Sequence, residues 1–238
     1  MRTPWYDYNP SMRAVVLSLL LAAPFPLSAE PLPDQCDRQL PPPHVQVRAT
    51  FAAPAMSFEL SAREIKSLSG LTLPGVSLGL TQVETRVDNR VSLSMLRSVV
   101  DGRACARPDI QLTIVLQRAR VYVARELVGN DCAVAAVWHH ELRHFAIHQE
   151  TLNETAGEVE RLMRSHYQDE ILFGTEDEIR TQIAHDVQTR WMHEIDALRA
   201  RGDIQHELLD ARDADGSVTW CDGALLRLEA RIAREAVE

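Results

Sequence analysis

Six consecutive residues, His139–His144, contain a spacing that can bind a metal ion. His140 and His144 lie four positions apart, so a helix presents both imidazole rings on one face, where they can bind one zinc ion. Glu141 follows the first of these histidines, and its carboxylate can accept a proton from a water that zinc has activated. The motif therefore predicts a zinc site with His140 and His144 as ligands and Glu141 as the general base.

The spacing alone leaves the third zinc ligand unassigned. His148 continues the series of histidines, but a straight helix places it about 12 Å along the axis from His140. One zinc ion cannot reach both ends of that row. We therefore expect His148 to line a pocket beside the site.

Other candidates for the third ligand require the chain to turn back towards the motif. A second long helix could return His185, His193 or Glu194. An acidic segment further along the chain offers a separate set, which consists of Asp210, Asp213 and Asp215. Three residues could stabilise negative charge that develops during hydrolysis, namely Tyr122, Arg143 and Tyr167.

The two halves of the chain differ in their patterns, which predicts an α+β fold. Residues 44–129 are rich in alternating apolar and β-branched residues and are expected to be mainly strands. The exception is a short helix after Ser61, because Ser61 and Glu64 have the spacing of a capping box. Residues 130–238 have helical periodicity, and together with 44–129 they are expected to form a single domain.

Three helices are expected in the second half. The first begins at Asn130 or Asp131 and carries the motif, because either residue can cap a helix. The second runs from about Thr175 to Arg201, and the last follows Asp222. The acidic segment before the last helix is predicted to be a solvated loop, since a calcium-binding loop would need an oxygen ligand where Ala211 stands.

The N-terminal residues are typical of a protein that is exported. Residues 1–29 include an apolar run with small residues at its end, which predicts a cleaved signal peptide, and Met12 is an alternative start. An uncleaved anchor is the other interpretation of this run. The proline-rich residues 30–43 are expected to be a linker or an extended arm.

Four cysteines remain beyond the predicted signal, and they are Cys36, Cys105, Cys132 and Cys221. An even number in an exported chain predicts two disulfides, for which three pairings exist. The net charge of −9 argues against binding to nucleic acids or to anionic membrane surfaces.

His140, Glu141 and His144 resemble the active-site motif of the zincin class of metallopeptidases. The layout of the chain is also similar to a bacterial family described as predicted secreted zinc-dependent proteases. The resemblance implies two zinc-binding histidines, a glutamate base and a peptide or protein substrate. It further implies an edge strand that holds the substrate, for which Arg120–Leu127 is placed.

The motif and the resemblance together predict a periplasmic or secreted zinc-dependent peptidase, with no stable insertion in the membrane after signal cleavage. Zinc could instead stabilise a protein without catalytic activity. The chain could also be an envelope interaction protein in which the histidines are ordinary core residues. Hydrolysis of cell-wall peptides by the same zinc chemistry is a further alternative.

Overall fold

Residues 31–70, 77–216, 221 and 223–235 are described by a computed structural model of the chain. The strands are β1 (His44–Phe51), β2 (Pro54–Ser57), β3 (Gly79–Arg97), β4 (Ala104–Val123) and β5 (Leu172–Gly174). The helices are α1 (Leu32–Gln39), α2 (Ala62–Ser69), α3 (Asp131–Tyr167), α4 (Glu176–Asp186), α5 (Met192–Arg199), α6 (Gly202–Gly216) and α7 (Ala224–Glu235). The predicted α+β class is confirmed, with a β-rich first half and a helical second half.

Strand β4 forms the centre of the sheet because every other strand pairs with it. On one side β3 runs antiparallel to β4 over its whole length. On the other side β1 and β2 run parallel to β4, and β5 runs antiparallel to it. Among the described strands β3 therefore has one partner and forms an edge of the sheet.

The prediction of an edge strand at Arg120–Leu127 is wrong. Arg120 pairs with Ala55 of β2 on one side and with Gln82 of β3 on the other. Residues Arg125–Leu127 form a short 3₁₀ turn. The apolar pattern of this segment reflects burial in the middle of the sheet, where strands are apolar along much of their length.

Helix α3 lies across the sheet and forms the main core with it. Its N-terminus is where the sequence predicts it, because the side chain of Asn130 accepts a hydrogen bond from the backbone N–H of Ala133. Its 37 residues correspond to a length of about 55 Å. The apolar side chains of β4 that face this core, among them Ile110 and Ile114, are fully buried.

The predicted helix from Thr175 to Arg201 is confirmed with one local change. Thr175 forms a capping box with Glu178 at the start of α4. A π-helical turn at Val187–Trp191 joins α4 to α5. The predicted capping box of Ser61 is also present, at the start of α2.

The prediction of a solvated loop around Asp210 is wrong, because this segment lies inside α6. Aspartates commonly favour loops and caps, but tertiary contacts override such weak local preferences. Here Asp210 and Asp213 contact histidines of α3. The predicted last helix is present as α7, whereas Asp222 and the side chain of Asp215 lie outside the described residues.

The prediction of an extended arm at residues 30–43 is also wrong, because Leu32–Gln39 forms α1. A disulfide between Cys36 and Cys105 attaches this helix to β4. Cys36 and Cys105 are both fully buried, and the buried side chain of Leu40 packs with them. This helix is therefore part of the folded structure.

The second disulfide joins Cys132, near the start of α3, to Cys221, which precedes α7. Two disulfides are thus present, as the cysteine count predicts. Of the three pairings of the four cysteines that the sequence leaves open, the structure has Cys36 with Cys105 and Cys132 with Cys221.

No helix among the described residues is long and apolar enough to cross a lipid bilayer. The predicted signal peptide at residues 1–29, with the alternative start at Met12, lies outside the described residues.

Candidate metal centre

Three side chains from two helices converge beside the sheet. His140 and His144 project from α3, and Asp210 projects from α6. Nε2 of His144 lies 3.0 Å from Nε2 of His140 and 2.9 Å from Oδ1 of Asp210. Nε2 of His140 lies 3.2 Å from the same oxygen. This is the one group of potential ligands with such geometry among the described residues. We refer to the side chains of His140, His144 and Asp210 as the metal group.

These three distances fit the coordination of a zinc ion. Ligand atoms about 2.0–2.1 Å from a tetrahedral zinc lie roughly 3.3 Å from one another. The nitrogen and carboxylate donors of His140, His144 and Asp210 are also ligand types that zinc accepts. Small adjustments of the side chains would therefore bring all three atoms to bonding distance of one ion.

The outer nitrogens of both histidines have hydrogen-bond partners that orient the rings. Nδ1 of His140 lies 2.8 Å from Oδ2 of Asp213, so the ring donates its proton to that carboxylate. Nδ1 of His144 lies 2.9 Å from Nδ1 of His206, to which it can donate in the same way. When both Nε2 atoms are deprotonated, as binding of a metal ion requires, their lone pairs point at each other and at the Asp210 carboxylate. A cation at their centre would relieve this repulsion, and such partners orient metal-binding histidines in many proteins.

Arg143 is held at the edge of the same group. Its guanidinium donates to both carboxylate oxygens of Asp213, at 3.1 Å for Oδ1 and through a shorter contact with Oδ2. The side chain of Asp213 is 13% exposed, whereas that of Arg143 is 46% exposed. Asp213 therefore fixes His140 and holds the Arg143 cation beside it.

Glu141 faces the sheet and is almost fully buried, with 5% of its surface exposed. The hydroxyl of Thr81 in β3 lies 2.8 Å from Oε2 of Glu141 and 2.9 Å from its backbone oxygen. Burial raises the pKa of the Glu141 carboxyl, while the hydrogen bond from Thr81 and the nearby His144 and His140 oppose that rise. This carboxylate therefore has a high affinity for a proton compared with an exposed glutamate.

Gly79 brings β3 into close contact with Glu141. A Cβ atom at this position would lie 2.4 Å from Oε1 of Glu141 and 2.7 Å from Cγ1 of Val137. No side chain larger than a hydrogen fits there without movement. Gly79 and Thr81 of the edge strand thus both contact the Glu141 carboxylate.

The electrostatic surroundings keep Asp210 ionised. Partial burial alone raises the pKa of its carboxyl, but the hydrogen bonds that His140 and His144 donate from Nε2 in the metal-free protein outweigh this and hold the pKa well below the usual range. Asp210 is therefore a carboxylate at neutral pH, which is the form that binds a metal ion.

His148 lies beside the metal group, as predicted, and not in it. Its ring packs against that of His206 with the two rings tilted at 49° and their centroids 4.4 Å apart. Burial, followed by the nearby charge of His206, lowers the pKa of His148 to about 4. The ring is therefore neutral at pH 7.

Of the open candidates for a third ligand, Asp210 is the one that lies together with His140 and His144. His185 and His193 are exposed on α4 and α5, and neither they nor Glu194 join the group. Asp213 contacts His140 from its outer side.

Two of the three residues considered for charge stabilisation lie elsewhere. Tyr167 is 23 positions after His144 on the same helix, which corresponds to about 35 Å along the axis. It packs against Trp191, and burial raises its pKa to about 12.

Tyr122 also faces away from the site. Val121 pairs with Thr81, so the side chains of these two residues lie on the same side of the sheet. Tyr122 is the next residue of the strand and therefore faces the other side. Only Arg143 lies beside the metal group.

His206 was not among the residues that the sequence suggested. It precedes Asp210 by four positions and Asp213 by seven, which is the spacing of one helical face. Recognition of α6 from the sequence would have revealed this face.

No protein-family model matches the chain, and neither a curated protein nor a solved structure is significantly similar to it.

Proposed function

We propose that this protein is an exported zinc-dependent peptidase, in which His140, His144 and Asp210 bind the ion and Glu141 is the general base. The observation that carries the proposal is the convergence of three ligand atoms within 3.2 Å of one another next to a buried glutamate. Zinc sites with three protein ligands typically leave one coordination position for water or substrate.

Each side chain has a distinct task in this proposal. His140, His144 and Asp210 hold the ion, while Asp213 and His206 fix the tautomers and orientations of the two rings. A bound zinc ion would activate water and polarise a carbonyl group.

Glu141 moves the proton in the proposed reaction. Its carboxylate accepts a proton from the attacking water as the oxygen bonds to the carbonyl carbon. The carbon–nitrogen bond then breaks, and Glu141 delivers the proton to the leaving amine. The raised pKa of Glu141 suits both halves of this transfer, because a group must be basic enough to take the proton and acidic enough to return it.

Arg143 is the candidate for stabilising the negative charge on the carbonyl oxygen. Its guanidinium is held by Asp213 at the edge of the metal group, and nearly half of its side chain is exposed. A fixed cation beside the reacting carbonyl would favour the charged transition state.

Export is supported by the two disulfides. Disulfides persist in oxidising compartments such as the periplasm and the extracellular space. Together with the signal-like residues 1–29, they favour a periplasmic or secreted location.

A zinc site that only stabilises the fold is the alternative. Structural zinc sites are normally closed by four protein ligands, whereas the described residues supply three at this point. The geometry therefore favours a catalytic site over a structural one.

The variant Glu141→Gln tests the proposal. Glutamine keeps the size of the side chain but cannot accept the proton. We expect the zinc-loaded variant to retain one zinc per chain and to lose at least 100-fold in kcat on a casein or peptide substrate, within the range that general-base catalysis contributes. Unchanged hydrolysis by Glu141→Gln would contradict the assigned role, and no hydrolysis by the zinc-loaded wild type would contradict the proposed activity.

A further inference from the structure

A cavity of about 280 Å³ lies beside the metal group, between β3, α3 and the junction of α5 with α6. His206 connects the two, because it lines the cavity and contacts His144. Val83 also lines the cavity, two residues beyond Thr81 on the same face of β3. A peptide that lies along β3 with its scissile bond near Glu141 would therefore extend directly into this cavity.

Thr151 lines the cavity, and its hydroxyl lies buried directly behind the cavity wall. Thr151 is 8% exposed, and its Oγ1 has no hydrogen-bond partner among the described residues. Gly202 closes over it so tightly that a Cβ at this position would lie 2.8 Å from Oγ1. Buried polar groups in proteins are almost always hydrogen-bonded, so the unpaired Oγ1 of Thr151 could take a hydrogen bond from a ligand in the cavity once Gly202 moves aside.

The charged side chains at the cavity leave it with a net negative charge. Asp196 and Arg199 face each other, with 3.5 Å between Oδ1 and Nη1, and so offset one another. Asp203, in the first turn of α6, forms no ion pair within the described part of the chain and adds a further carboxylate to the cavity. Val83, Leu152 and Ala200 contribute apolar surface beside these charges.

We propose that this cavity binds a positively charged nitrogen group of the substrate, with its aliphatic carbons against Val83 and Leu152 and its cationic head directed to Asp203. This inference rests on the proposed peptidase function and adds a substrate preference to it. A lysine or arginine side chain near the scissile bond and the free amino terminus of a peptide share this chemistry.

A positional set of peptides tests the preference and separates its two sources. A single lysine is placed in turn at each position of an alanine-rich octapeptide with blocked ends, and norleucine or glutamate replaces it in matched peptides. A second set carries a free amino terminus and no lysine. For zinc-loaded wild type we expect at least a 10-fold higher kcat/KM for a cationic peptide than for its matched neutral peptide.

Variants of Asp203 test whether the preference for cationic peptides depends on this cavity. Asp203→Asn should reduce the ratio between cationic and neutral peptides to below 3-fold, and Asp203→Lys should favour the glutamate peptide. Asp203 is exposed, so both variants are expected to fold, which thermal unfolding checks. Asp177→Asn, an exposed change in the first turn of α4, is the matched control and should keep the wild-type ratio.

Peptide binding to zinc-loaded Glu141→Gln, followed by fluorescence anisotropy, provides a readout that does not need turnover. Cleavage of the peptides without a cationic preference would overturn the inference and leave the proposed function intact. A cationic preference in binding that Asp203→Asn abolishes, without cleavage by the wild type, would support the cavity and contradict the peptidase function. An unchanged preference in Asp203→Lys would also overturn the inference.

Discussion

The hydroxyl of Thr81 lies 2.8 Å from a carboxylate oxygen of Glu141 and joins the edge strand of the sheet to helix α3, which carries His140 and His144. Glu141 is the one charged side chain that is buried among the described residues. A buried carboxylate is costly unless hydrogen bonds satisfy it. The contact with Thr81 therefore both stabilises the fold and orients the proposed base.

Replacing Thr81 with valine should lower kcat by roughly 10-fold to 100-fold, because a hydrogen bond to a charged group contributes about 1.5–3 kcal/mol. KM should change little, since Thr81 positions the base and does not bind the ion. Thr81→Ser keeps a hydroxyl and should recover most of the activity. Steady-state kinetics of the zinc-loaded proteins measures both constants.

The control for this change is Thr113→Val on β4, because Thr113 faces the other side of the sheet and contacts Arg48. An equal loss of kcat in Thr113→Val, or no rescue by Thr81→Ser, would argue against a positioning role for Thr81.

Gly79→Ala should destabilise the protein, because the added Cβ would lie 2.4 Å from Oε1 of Glu141. Inserting a methyl group into a packed region typically costs about 1–3 kcal/mol. Gly157→Ala on α3 is the matched control, since nothing lies within 4 Å of its added Cβ. It should increase the free energy of unfolding by about 0.5–1 kcal/mol through helix propensity. Urea unfolding of the two variants gives both values, and equal stability of the two would contradict the close approach at Gly79.

Asp213→Asn should weaken zinc binding by roughly 10-fold to 100-fold, as is typical when the hydrogen-bond partner of a metal-binding histidine is changed. Asparagine keeps the size of the side chain but loses the charge that holds the Nδ1 proton of His140. Titration of zinc against a competing chelator measures the dissociation constant. Asp177→Asn is the control, and an affinity for Asp213→Asn equal to that of this control would show that Asp213 does not support the site.

Acid should destabilise the metal-free protein through His148. Burial and the nearby His206 lower the pKa of His148 in the folded state to about 4, whereas the unfolded chain titrates at about 6.5. Between these values the unfolded chain binds the proton more readily, so the free energy of unfolding falls as the pH falls from 6.5 to 4. The contribution lost over this window is at most about 3 kcal/mol.

His148→Gln removes this titrating group and should flatten the fall in stability between pH 6.5 and 4. Urea unfolding at several pH values, with a chelator present, measures the slope. His193→Gln changes an exposed histidine and should keep the wild-type slope. A slope that is the same in all three proteins would show that His148 does not contribute.

The first half of the metal group could be predicted from the sequence because it depends on local geometry. His140, Glu141 and His144 lie within five residues, and any helix with this sequence places the two histidines on one face. The caps at Ser61, Asn130 and Thr175 were predictable for the same reason.

The second half depends on tertiary contacts that local patterns do not reveal. Asp210 was one of several open candidates, and His206 was missed, because aspartate-rich α6 has the local composition of a loop. Its aspartates are accommodated in the helix by contacts with His140, Arg143 and His144. Arg120–Leu127 was likewise misplaced at an edge, since strand position within a sheet depends on pairings between distant segments.

The zinc content of the purified protein tests the central claim most directly. Zinc per chain is measured by elemental analysis after dialysis with one equivalent of zinc, for wild type, Glu141→Gln, the double variant His144→Ala with Asp210→Ala, and the exposed control His193→Ala. We predict one zinc per chain in wild type, Glu141→Gln and His193→Ala, and less than a tenth of that in the double variant. A wild type without zinc, or a double variant that keeps as much zinc as the wild type, would contradict the assignment of this site.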